Sequence, residues 1–60
     1  MDKLFREATA AQILDLQPRT LSRCRFTGTG PAYHKVGGAV RYRAVDLEKF
    51  VADGRVAAND

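Results

Sequence analysis

Apolar and polar positions recur along this chain with two different periods, and the change from one to the other divides it into helical and extended parts. Ala10, Ala11 and Leu14 follow helical spacing inside a run of good helix formers from Ala8 to Leu14, with Glu7 just before it. This predicts a short first helix, with Phe5 packing back onto its first turn as a hydrophobic staple. The run stops at Asp15, a residue that tolerates the left-handed conformation better than most, and Leu16 is expected to return to the core. Pro18 suits the first position of a second helix, since its missing N–H is not needed there. The pattern carries that helix to about Phe26, with Leu21 and Cys24 facing inward.

The cluster Thr27, Gly28, Thr29, Gly30 and Pro31 breaks the helix and introduces extended chain. Tyr33 to Val36 and Val40 to Arg43 read as two strands flanking Gly37 and Gly38. A loop of Gly37 and Gly38 alone would pair Val36 with Ala39 and Lys35 with Val40, mixing charged and apolar groups on both faces. A three-residue loop, Gly37 to Ala39, pairs Val36 with Val40 and His34 with Tyr42 instead. That register is the one expected here, because it leaves Tyr33, Lys35, Arg41 and Arg43 on one basic face and an apolar lid on the other. From Ala44 to about Asp53 the helical period returns, with Leu47, Phe50 and Val51 at i, i+3 and i+4, and Asp46 and Glu48 where a helix dipole favours negative charge. Gly54 is placed to cap that helix.

Sixty residues make one domain, here residues 1–53 with a frayed tail at 54–60. One cysteine and one histidine cannot supply an internal disulfide or a four-ligand zinc site, so neither a metal nor another cofactor is expected. No apolar run approaches the roughly 20 residues of a membrane span, and the N-terminus lacks the apolar stretch of a signal peptide. The expectation is a soluble, intracellular protein with no membrane partner.

Charge changes the picture most. Between Leu16 and Val45 lie six basic residues (Arg19, Arg23, Arg25, Lys35, Arg41, Arg43) and no acidic one, while all seven carboxylates fall outside. The centre carries +6 and the flanks −3, so the net charge of +3 understates the local field. Such a field draws polyanions, above all nucleic acid.

The two leading helices fit a helix-turn-helix, in which small residues at the crossing let the helices approach. With Leu21 and Cys24 inward, the second helix presents Gln17, Pro18, Arg19, Ser22, Arg23 and Phe26 outward. Arg19 and Arg23 stand one turn apart, and the arginine fork matches guanine O6 and N7; Gln17 suits adenine. Thr20, Ser22 and Arg25 are better placed for phosphates. The hairpin then makes a wing whose basic face, Lys35, Arg41 and Arg43, is expected to lie along an adjacent groove or backbone, with Gly37 and Gly38 allowing close approach of the tip. About five phosphate contacts would give a slope of log K against log salt of roughly −4 to −5.

The sequence resembles the excisionase and MerR-like winged helix-turn-helix family, which includes AlpA-type phage regulators. The resemblance is carried by Ala10-Ala11-x-x-Leu14, Pro18-Arg19-Thr20-Leu21, Gly30-Pro31, Tyr33-x-Lys35-Val36-Gly37-Gly38, Val40-Arg41-Tyr42 and Asp46-Leu47-x-x-Phe50-Val51, spanning about Leu4 to Val51. It implies an α+β fold of helix-turn-helix, two-stranded wing and C-terminal helix, binding double-stranded DNA without catalytic residues. It further implies a cytoplasmic, nucleoid-associated protein of a bacterial cell, acting with a site-specific integrase or at promoters, with side-by-side self-association on DNA. The chain departs from the family at Asp15, where glycine is usual in the turn, at Gln17, where serine often caps, and at Cys24, where an aromatic is common.

Bland readings compete at several positions. Cys24 and His34 are better read as packing residues than as a nucleophile and base. Tyr33 and Tyr42 fit half-buried strand packing, and Phe26 fits either the core or the groove. Asp46 and Glu48 are accounted for by the helix dipole. Docking on an acidic protein is the alternative to DNA.

Overall fold

The computed structural model describes residues 3–57. Six elements follow in order: β1 (Leu4–Phe5), α1 (Glu7–Leu14), α2 (Pro18–Thr27), β2 (His34–Val36), β3 (Ala39–Arg43) and α3 (Ala44–Asp53). The fold is α+β, a small winged helix-turn-helix closed by a third helix.

Both leading helices end in the same device. Asp15 adopts φ 57°, the one non-glycine residue with positive φ among those described, and the turn donates Asp15 N–H to Gln12 O and Leu16 N–H to Ala11 O. At the end of α2, Gly28 adopts φ 72°, with Gly28 N–H donated to Arg25 O and Thr29 N–H to Cys24 O. These paired 5→2 and 6→1 bonds are Schellman motifs, which satisfy orphan carbonyls and turn the chain sharply. The first motif leaves only Asp15, Leu16 and Gln17 between α1 and α2. Gly54 also caps its helix, but at φ −88°, a conformation open to any residue.

The sheet has three antiparallel strands in the order β1-β3-β2, one more than the pattern of the sequence predicts. Leu4 pairs with Arg43 and Phe5 with Tyr42, and Ala44 N–H to Lys3 O extends the pairing. Phe5 therefore lies in a strand as well as next to the helix start.

The hairpin corrects the expected register. His34 pairs with Arg41, Lys35 with Val40 and Val36 with Ala39, so the loop is Gly37 and Gly38 alone. Their φ values, 59° and 89°, are those of a type I′ turn, whose twist matches the flanking strands. Burial does not oppose this choice, because every residue of β2 is exposed and register is held by the core only where one face is buried. Cross-strand partners share a face. Lys35 thus stands on the side of Val40 and Tyr42, and the single basic face of Lys35, Arg41 and Arg43 is not formed. His34 shares the Arg41 side and is exposed, not packed under an apolar lid.

Ala10, Ala11, Leu21, Tyr42 and Leu47 form the buried core, with Phe5, Leu14 and Val40 packed against it. The alanines, both wholly buried, let α1 approach its neighbours closely. Tyr42, also wholly buried, fills the space between helices and sheet. Several expected core positions lie at its margin: Leu16 and Val51 are exposed and Cys24 is half-buried. A Cβ on Gly30 would stand 3.0 Å from the Cys24 Cβ, so the chain passes directly over Cys24 and Pro31 beyond it is buried. A small residue at position 24 fits that passage. The expected fraying from Gly54 to Asp60 falls in part on residues 58–60, outside the described residues.

Candidate nucleic-acid interface

The second helix divides into an inner edge and an outer row. Leu21 anchors the inner edge. Arg19 and Arg23 are exposed on the outer row, with Ser22 and Thr20 half-buried beside them. Neither arginine forms an ion pair with a described residue, so both guanidinium groups stand in solvent on one helical face. Gln17 occupies the N-cap and is exposed, and its side chain makes no capping bond. Its carbonyl accepts Thr20 N–H and Leu21 N–H instead. The Gln17 amide is left without a local role.

Arg25 belongs to a different environment. It pairs with Glu7 at the start of α1, and its guanidinium also lies over the rings of Phe26 at 5.5 Å and Tyr33 at 5.9 Å. Tyr33 in turn tilts against Tyr42, with centroids 6.2 Å apart. The Tyr42 hydroxyl and the Glu7 carboxylate hold the Arg25 guanidinium above its ordinary value, against the opposing cost of burial. That hydroxyl is buried without a hydrogen-bond partner among the described residues. Among the six cations of the acid-free window, Arg25 is thus drawn back onto the scaffold. Nothing local in the sequence signals this pairing, because its partners lie 18 residues apart.

The wing carries the remaining basic residues. Arg41 is half-buried and donates from Nη1 to the Val40 carbonyl at 2.7 Å. Lys35 and Gly38 are exposed near the tip, and Arg43 lies half-buried at the junction with α3. On the Arg41 side, His34 Nε2 stands 3.6 Å from Asp46 Oδ2. The structure therefore sets Arg19, Arg23 and Gln17 together on α2, keeps Arg41 and Arg43 on one side of the wing, and puts Lys35 on the other.

Two further surfaces bear on what the protein can do. Phe26 is 82 % exposed, which settles its position against the core. An open apolar groove of about 480 Å³ runs between α1 and α3, lined by Phe5, Ile13, Leu14, Leu47 and Val51 among others. Glu48 is its one charged lining residue, so the groove does not gather the converging polar groups of an active site. No group of three or more potential metal ligands occurs among the described residues, and no described helix is long and apolar enough to cross a membrane. No protein-family model matches the chain, and no curated protein matches it.

Proposed function

We propose that this protein binds double-stranded DNA in a sequence-specific manner, with α2 in the major groove and the wing on the adjacent backbone. One observation carries the reading: Arg19 and Arg23 project from one exposed face of α2, unpaired with any described residue, in a fold whose helix-turn-helix presents that face. Exposed arginines held on a rigid helix at one-turn spacing suit bidentate contacts to guanine. Gln17, at the start of the same helix, adds an amide suited to adenine. Thr20, Ser22, Lys35, Arg41 and Arg43 hold phosphates. The protein has no catalytic role in this reading.

The biological role proposed is that of an excisionase, a recombination directionality factor of a phage or integrative element. In that role the protein bends attachment-site DNA or lines up copies along it, so that an integrase is directed toward excision. Action as an AlpA-type transcriptional regulator is the second reading, favoured by the same DNA-binding face. Selection of bound sequences from a random duplex pool tests the binding. Directly repeated sites support the excisionase role, and an inverted repeat supports a dimeric regulator. An excision reaction with the cognate integrase whose rate and direction do not change when the protein is omitted would remove the directionality role.

A further inference from the structure

Phe26 extends the row begun by Arg19 and Arg23. The three residues stand at i, i+4 and i+7 of α2, the spacing that keeps side chains on one helical face. An aromatic ring left 82 % exposed at the end of a cationic row calls for an explanation, because it contributes nothing to the core. It does not belong to the apolar groove, whose lining comes from β1, β3's junction with α3, α1 and α3. The Arg25 guanidinium stands over it, 5.5 Å from the ring centroid. The ring is therefore an apolar surface bordered by Arg23 and Arg25.

The major groove offers such a surface one apolar feature, the C5 methyl group of thymine. We propose that Phe26 reads a thymine methyl, making it a specificity-determining residue beside the two arginines. The inference rests on the DNA-binding reading above. Seven residues of helix advance about 10 Å. The thymine therefore lies in the same half-site as the base read by Arg19 but at a different base pair. The arginines would fix hydrogen-bonding bases, and Phe26 would distinguish thymine from cytosine by apolar contact.

The test uses a duplex selected from the random pool, in which each thymine is replaced in turn by deoxyuridine. That change removes one methyl group and leaves base pairing and charge intact. The intact protein is expected to lose about fourfold in affinity at one or two positions, the worth of one buried methyl-sized group. Phe26→Ala is expected to bind the thymine duplex more weakly than the parent and to show no further loss at those positions. Its unfolding midpoint should match the parent, since the ring is exposed. Equal binding of thymine and deoxyuridine duplexes by the parent at every position overturns the proposal alone, as does an undiminished deoxyuridine penalty in Phe26→Ala. Failure to enrich any duplex removes the DNA-binding reading and this inference with it.

Discussion

The Arg25 guanidinium is paired with the Glu7 carboxylate across the crossing of α1 and α2. A cation that the sequence assigns to phosphate thereby serves the scaffold, tying the start of the first helix to the end of the second. Arg25→Ala and Glu7→Ala are each expected to lower unfolding free energy by about 1 to 2 kcal/mol, between the values for exposed pairs and for well-made charged hydrogen bonds. A double-mutant cycle by urea denaturation checks this, and additive single losses would deny the pairing. Arg25 is held charged beyond its ordinary range, so its side of the link is present below the ordinary arginine value and is lost only in strong base.

Withdrawing Arg25 from the DNA-facing set changes the expected salt dependence. Three cations, Lys35, Arg41 and Arg43, remain on phosphates, giving a slope of log K against log salt of about −2.5 to −3. Arg25→Ala should leave that slope unchanged, whereas Lys35→Ala should reduce it by about 1 and weaken all sequences alike. Fluorescence titrations across a range of salt concentrations provide the comparison.

The hairpin makes a separate prediction. Both residues of its loop have positive φ, and asparagine is favoured at the first position of such a turn. Gly37→Asn should therefore retain stability. Gly38→Val, at φ 89°, forces a β-branched residue into a conformation that costs it about 1 to 2 kcal/mol or more. Thermal unfolding ranks the two variants, and cross-strand proximity of Lys35 to Val40 by NMR checks the register itself.

Asp15 and Gly30 respond oppositely to small changes. Asp15→Gly relieves a left-handed non-glycine residue at φ 57°, and should raise stability by about 0.5 to 1 kcal/mol. At Gly30 an added Cβ meets the Cys24 Cβ at 3.0 Å, so Gly30→Ala should cost about 1 to 3 kcal/mol by overpacking. Urea unfolding of both variants measures the contrast.

The helices are legible in the sequence because their ends are. Asp15, Pro18 and the cluster from Thr27 to Pro31 mark boundaries through backbone chemistry that acts within a few residues. β1 is not legible, since Leu4 and Phe5 are too few to show a strand period and the pairing that makes them a strand lies with Tyr42 and Arg43. The register of the hairpin misleads for a related reason: an argument from burial presumes a buried face, and β2 has none. At the candidate interface, the exposure of Arg19 and Arg23 follows from helical spacing around Leu21. The diversion of Arg25 follows from long-range pairing, which no local pattern carries, whereas the facing of Lys35 follows from the two-residue Gly37-Gly38 turn, a local signal that the burial argument overrode. Phe26 falls on the outer face by spacing, but its apolar ring suits a core as well, and the packed structure decides between the two.

The proposed function requires that the outer row of α2 read bases. Binding of Arg23→Ala and the parent is compared on the selected duplex and on its single-base variants. Arg23→Ala is expected to lose about 1 to 3 kcal/mol on the selected site and to lose its preference at one base pair while keeping the others. Equal affinity and unchanged preference in the two proteins would contradict it.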